Sequence, residues 1–326
     1  MTGPGAGRMR IGLVSNARSE RNKRGLADIE RLVRTAPEVV HLHFDGSRSV
    51  IELMRELARH EVGLVVINGG DGTVQGILTA LFEDRPFAEP PPLAILPRGM
   101  ANMTARDVGL TGRGAAALER LLRAVRGGVP AGRAVTRHVL RIENLADAPP
   151  QRGMFFGAGG IYDAITICKS RVHALGFKGE ASHAVTLAAL LAIAAVRGLD
   201  SVGLHGHDIA VALDDAPSIG ARRLLVLATT LERLVLRSQP FWNTEHGPVR
   251  FTSIGYPPER LTRHARKLLY GGPVRDLPEP GYLSRGATRV ALDLDGPFTI
   301  DGQFFAPVPG RPLVLTAAET ARFVRL

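Results

Sequence analysis

The chain of 326 residues has room for two domains or one large one, and its 45% apolar content can bury a substantial core in water. No stretch reaches the ~18 consecutive apolar residues expected of a membrane span. A formal charge of +10, from 41 Lys and Arg against 31 Asp and Glu, points to an anionic partner, and the 5% aromatic content with no reader motif disfavours nucleic acid. Acidic membrane surfaces and phosphorylated substrates remain.

Cys168 stands alone, so there is no disulfide framework and no thiol set for zinc. The N-terminus MTGPGAGRMR lacks the apolar core of a secretion signal, and the two features together point to the cytoplasm.

Residues 10–16, 39–44, 62–67 and 93–96 are short apolar runs that end in turn residues and read as strands. Between the second and third, Ser49-Val50-Ile51-Glu52 has the form of a capping box, and Val50, Leu53, Met54 and Leu57 follow with helical spacing. Val74, Ile77, Leu78, Leu81 and Phe82 repeat that spacing. Alternating strands and helices with fully apolar strands predict a parallel sheet covered on both faces, so residues 1–133 read as an α/β domain.

The glycine-rich run Gly69-Gly70-Asp71-Gly72-Thr73 lies between the third strand and the helix after it. Glycines there let the backbone approach a ligand closely, and the helix N-terminus that follows favours an anion such as a phosphate chain. Asp71 would repel phosphate by itself, so it reads as a magnesium ligand, a base for an attacking hydroxyl, or a helix cap. A second turn, Pro97-Arg98-Gly99-Met100-Ala101-Asn102, ends the next strand and would make a two-walled site. No Gly-x-x-x-x-Gly-Lys-Ser/Thr loop occurs, so any nucleotide chemistry uses another scaffold.

After residue 133 short strands divided by Gly and Pro predominate, at 139–143, 154–156, 208–213, 224–229 and 290–294. One helical insert is expected over about 170–198, including the apolar run 185–196, and another helix after Pro257-Pro258. Residues 134–300 thus read as a second, mainly antiparallel β domain.

His41 with His43, and His205 with His207, each share a strand face. Two ligands without a third make a poor zinc site, so these read as packed or surface histidines. Arg260, Arg263, Arg266 and Lys267 lie near one face of a helix, either solvated or resting on an anionic leaflet. Arg18, Arg21, Lys23 and Arg24 form a basic first loop that either meets phosphate or is simply solvated.

The sequence resembles the diacylglycerol kinase catalytic-domain family, which includes bacterial lipid kinases and sphingoid-base kinases. The resemblance rests on Asn16, on GGDGT at 69–73, on Pro-x-Gly-x-x-Asn at 97–102, on Gly159-Gly160-Ile161-Tyr162-Asp163-Ala164, and on Asp301-Gly302-Gln303. It implies a Rossmann-like nucleotide domain and a β-sandwich domain, with ATP in the cleft between them and residues 301–326 returning to the first domain. The implied reaction is magnesium-dependent transfer of the γ-phosphoryl group of ATP to the hydroxyl of a diacylglycerol-like lipid; a sphingoid base or another alcohol is the alternative acceptor. By the same resemblance Asn16, Gly69, Gly70, Asp71, Gly72, Thr73, Gly99 and Asn102 would line the nucleotide. Asp71 and Asp301 would serve as metal ligand and general base, and Asp163 would face the lipid headgroup. Lys169, Arg171 or Lys178 would neutralise the transferred group. A lipid substrate implies transient attachment at the inner face of an anionic membrane.

The departures are specific. Gln303 stands where the family has Glu, Gly76 where Glu is common, Ala17 where Pro follows the Asn, and Met103 where Asp is common. Gln hydrogen-bonds but neither carries charge nor accepts a proton at neutral pH. A nucleotide- or lipid-binding regulator with degraded catalysis is therefore the reading of another class.

Overall fold

The computed structural model describes residues 9–19, 22–99, 101–112, 114–127, 134–175, 199, 201, 203–242, 247–270 and 281–325. The chain divides into two compact units, residues 1–137 with 320–326, and residues 138–319.

The first unit is built on a six-stranded sheet, counted among the described residues. Its strands are β1 (Ile11–Asn16), β2 (Val39–Phe44), β3 (Leu64–Gly69), β4 (Leu93–Pro97), β5 (Ala134–His138) and the C-terminal β17 (Thr320–Val324). The order is β2-β1-β3-β4-β17-β5, and the pairings from β2 through β17 are parallel. Every residue of β3 is buried, as a strand covered on both faces requires. Helices α1 (Asn22–Val33) and α5 (Gly114–Arg126) cover one face, where Ile29, Leu118 and Leu121 pack with Leu13, Val66 and Leu96. On the other face lie α2 (Val50–Arg59) and α3 (Asp71–Thr79), the latter widening into a π turn at Ala80–Asp84. Leu57 of α2 rests on Gly12 so closely that a Cβ there would stand 2.7 Å from it. The expected capping box is present: Ser49 Oγ accepts from Glu52 N–H, and Glu52 accepts from Ser49 N–H at 2.7 Å. A short helix, α4 (Met103–Val108), follows the second glycine-rich turn.

The second unit carries an eleven-stranded antiparallel sheet among the described residues. In chain order the strands are β6 (Leu140–Glu143), β7 (Gln151–Gly153), β8 (Phe155–Gly159), β9 (His207–Leu213), β10 (Ile219–Thr229), β11 (Val249–Gly255), β12 (Tyr282–Ala287), β13 (Arg289–Asp293), β14 (Phe298–Ile300), β15 (Gln303–Phe305) and β16 (Leu313–Thr316). The long β10 pairs with β9 through its first half and with β8 through its second, and β11 joins it too. Strands from both ends of the path, including Leu140 on β6 and Phe298 on β14, contribute to one core, so the sheet folds over on itself. The expected sandwich is thus one continuous sheet. Helix α6 (Gly160–Leu175) and helix α7 (Leu261–Tyr270) share a smaller apolar cluster with Leu204, Leu224, Ile254 and Tyr282.

Two expectations shift. The return to the first unit begins at Thr320 rather than 301, because β14, β15 and β16 pair within the second sheet. The helix expected near 170 starts at Gly160, where Gly159, at φ +64, turns β8 directly into α6. The apolar run 185–196 lies outside the described residues.

Candidate functional site

In the first unit the two glycine-rich turns leave adjacent parallel strands, since Gly69 on β3 is in register with Pro97 on β4. They touch through bare backbone. A Cβ on Gly99 would stand 2.6 Å from Gly70 Cα, and one on Gly70 would stand 2.8 Å from Gly99 Cα. Neither obstacle is a side chain that can rotate away, so both positions exclude any larger residue.

Asp71 then fastens the turns together. Its carboxylate accepts from Met103 N–H and Thr104 N–H, each at 3.0 Å, and so caps α4 rather than the helix it opens. Burial pushes the Asp71 carboxyl up from its ordinary value, and those two amides pull against it. At the head of α3 the N-cap is Gly70, which supplies no capping side chain. Of the two helix N-termini, α4 is already capped by a carboxylate, while at α3 Thr73 N–H donates to Gly70 O and no N-cap side chain covers the amides before it.

Behind the turns lies a layer of polar side chains. Asn16 Nδ2 donates to Thr73 Oγ1 at 2.8 Å, joining the first loop to the end of the GGDGT run. Thr73 is buried, and its side chain fills the space where a Cβ on Gly69 would fall. Asn22 Nδ2 donates to the carbonyls of Asn16 and Asn68, both at 2.8 Å. Asn68 Nδ2 donates to Ser15 Oγ at 2.9 Å, and its Oδ1 accepts from Arg98 Nε at 3.2 Å. Arg98 is buried, with Gly25 of α1 and Gly114 of α5 against its guanidinium. Asn102, in left-handed backbone at φ +48, folds its amide onto Gly99, accepting from its N–H at 2.7 Å and donating to its C=O at 2.6 Å. Asn102, expected to line a nucleotide, is buried and holds the shape of the second turn.

Asp301, in the second unit, repeats the arrangement of Asp71. Its two oxygens accept from Met154 N–H at 2.9 Å and Phe155 N–H at 3.0 Å, and the residue is only 4% exposed. Both candidate metal and base carboxylates are thus tied to successive backbone amides. Magnesium usually binds through one or two carboxylates with phosphates and waters. Asp71 offers it only the lone pairs left by Met103 and Thr104. Among the described residues no group of three or more His, Cys, Asp or Glu side chains gathers to hold a metal.

Asp163 stands in the first turn of α6, and its Oδ2 lies 2.7 Å from His207 Nε2. His207, read from sequence as idle, is therefore paired with a site candidate. Lys178 lies outside the described residues, as do the side chains of Lys169 and Arg171, whose backbone continues α6. The same holds for Arg21 and for the side chains of Lys23 and Arg24. Gln303 is exposed at the start of β15, and Gly76 is inside α3. His41 faces Ser15 Oγ at 2.8 Å, and His43 stands 3.9 Å from Glu30. Sequence reasoning missed Ser15, Asn22, Asn68, Arg98 and His207. Asn68 directly precedes the first turn and Arg98 lies within the second, which is the one signal that marked them.

Residues 10–134 match the diacylglycerol kinase catalytic domain. No curated protein's sequence matches the chain. Among solved structures the fold is similar to that of a diacylglycerol kinase from Bacillus anthracis str. Sterne, with a TM-score of 0.61 at 15% identity over 97% of this chain and 96% of that one. A putative diacylglycerol kinase from the same source gives 0.66 at 16% identity, again over 97% and 96%. Yeast NADH kinase complexed with NADH gives 0.51 at 10% identity, over 98% of this chain and 84% of that one.

Proposed function

We propose that this chain, whose residues 10–134 match the diacylglycerol kinase catalytic domain, is an ATP-dependent lipid kinase that phosphorylates a hydroxyl of a diacylglycerol-like acceptor. The domain match supports a phosphotransferase of the kinase class acting on a lipid or other alcohol. The observation that carries the nucleotide half of the reading is the contact of Gly70 with Gly99. Two strand ends held this closely, with the first-turn amides of α3 beside them, suit a ligand that needs many N–H donors and no side chains in the way. A triphosphate is such a ligand.

In this reading the amides of Gly70, Asp71 and Gly72 bind phosphate oxygens, and Asn16 and Thr73 hold the rim of the first loop. Asp71 positions the second turn through α4. Magnesium, when bound, would screen charge on the triphosphate, and Asp71 is the carboxylate of the first turn that could meet it through its remaining lone pairs. Asp163, in the first turn of α6 and paired with His207, is the polar group that meets the acceptor in this reading. We further propose that the acceptor is met at an anionic membrane surface, because the chain carries +10 net charge and its substrate lives in a bilayer.

The test is direct. The purified chain, with γ-labelled ATP and magnesium, is offered a diacylglycerol, a sphingoid base and glycerol in detergent micelles. Labelled phosphatidic acid is the expected product. Nucleotide binding without label in any lipid, under every divalent metal tried, would leave a binding protein and end the kinase reading.

A further inference from the structure

We propose that Arg98 is the positioning residue of the phosphate site: from beneath the two glycine-rich turns it fixes the second turn against the strand that carries the first. This rests on the nucleotide half of the reading above, and every residue it uses belongs to the first unit. The need for such a residue comes from the turns themselves. Gly70 and Gly99 meet backbone to backbone, with no side chain between them to take up a shift. Amides that bind phosphate must be held to within about 0.5 Å. Asn102 closes the second turn on itself, and Asp71 holds the helix after it. Neither ties the start of that turn to β3.

Arg98 makes that tie twice. Its backbone N–H donates to Gly69 O at 3.1 Å, and its Nε donates to Asn68 Oδ1 at 3.2 Å. Pro97 before it has no N–H to give, so Arg98 carries the first backbone donor of the turn. The anchor at the other end is itself held. Asn68 is fully buried, with Nδ2 donating to Ser15 Oγ of β1 at 2.9 Å and its carbonyl accepting from Asn22 Nδ2 of α1 at 2.8 Å. One asparagine thus joins the second turn, β1 and α1 through three different polar groups.

Two helices shape the far end of the Arg98 side chain. The residue is 8% exposed, and its guanidinium lies in a slot walled by glycines. A Cβ on Gly25 of α1 would stand 3.0 Å from Nη1, and one on Gly114, which opens α5, would stand 2.9 Å from Nη2. Gly114, at φ +56, has a backbone that only glycine adopts without strain. Gly25 has no such need. It lies inside α1, where alanine is the better helix former, and the three nearest atoms its Cβ would meet all belong to Arg98. Room for the guanidinium is what the missing side chain provides. A lysine could not replace it, because a single ammonium cannot both reach Asn68 through Nε and fill the slot.

The experiment measures binding to the full chain by calorimetry, with ATP and with inorganic tripolyphosphate, which offers the phosphate chain alone. Arg98→Lys and Arg98→Met should each weaken both ligands roughly 10–100-fold, with the stoichiometry retained. A role in folding alone would lower the stoichiometry and leave Kd where it is. Gly25→Ala separates the two most sharply. Its methyl group favours α1, so thermal stability should hold or rise, while affinity should fall because the methyl displaces Nη1. In the Arg98→Met background the same substitution should change Kd by less than about twofold, since it reaches the turns only through Arg98. Arg98 is not the positioning residue if Arg98→Lys binds as the wild type does, if Gly25→Ala keeps full affinity, or if Gly25→Ala and Arg98→Met weaken binding independently. A wild-type chain that binds neither ligand would remove this role and the nucleotide reading together. Binding of both ligands with no phosphorylated alcohol would leave Arg98 in place and end the kinase reading alone.

Discussion

His41 sits in the polar layer beneath the two turns with its Nε2 against Ser15 Oγ. That oxygen already accepts from Asn68, so the hydroxyl proton is free to point at an unprotonated ring. Burial, and then the charge of His43, lower the His41 pKa from 6.5 to about 4. The folded chain therefore binds fewer protons than the unfolded one between those values. Stability from this residue is complete above about pH 6.5 and falls as the pH drops toward 4, by on the order of 1–2 kcal/mol once the ring's partial exposure is allowed for. Urea unfolding at about pH 4.5 and pH 7 should show the loss in the wild type and a smaller loss in His41→Gln. Equal losses would remove His41 from the account. Gly99 is the other residue at which a small change has a defined cost. A methyl group there meets backbone, so Gly99→Ala should destabilise by about 1–3 kcal/mol and weaken nucleotide binding by at least tenfold in a fluorescence titration. Retained affinity would mean that the turns separate without harm and that their contact does not shape the site.

At the level of elements, Asp71 makes α4 depend on the GGDGT turn. In Asp71→Asn one oxygen becomes an NH2 group facing an amide N–H, and leaving a buried donor unsatisfied costs about 1–3 kcal/mol. Amide exchange at Met103 and Thr104 should speed up, and nucleotide affinity should fall with it. Lost turnover with unchanged exchange would instead make Asp71 a base or metal ligand. The sequence displayed what is local. The capping box at Ser49, the apolar faces of α2 and α3, and the glycine-rich strand ends all depend on neighbours within a few residues. The partners of Asp71 lie more than thirty positions along the chain, and His207 pairs with an aspartate 44 positions away, so no spacing rule exposes them. The boundary expected at 301 missed for the same reason. The short β14 and β15 have strand character, but that character does not say they belong beside β8. At Gly159 the signal was present in the Gly-Gly pair, and a strand turning straight into α6 is what it encoded.

Over the whole molecule, charge and substrate class meet at the question of how a chain reaches a lipid when no described helix is long and apolar enough to cross a membrane. Helix α7 offers one means. It buries His264 and Leu268, while Arg263, Arg266 and Lys267 are exposed along its outer side and Tyr270 is 53% exposed at its end. A helix seated on its own unit by apolar residues can turn its basic side to anionic headgroups without loosening the core, and Tyr270 suits the interface, being apolar in its ring and polar at its tip. Each basic residue near an anionic surface contributes on the order of 1 kcal/mol, so replacing all three by Ala should weaken partition onto vesicles by ~100-fold. Sedimentation with vesicles of neutral phospholipid, and with vesicles that also contain an acidic phospholipid, would measure it. Binding should need the acidic lipid, fade at high salt, and be lost in the Arg263→Ala, Arg266→Ala, Lys267→Ala chain. That chain should keep its nucleotide affinity and its activity on a lipid presented in neutral micelles, because none of the three residues touches the turns or the Asp163–His207 pair among the described contacts. Equal binding of the triple variant and the wild type would move the membrane contact away from α7.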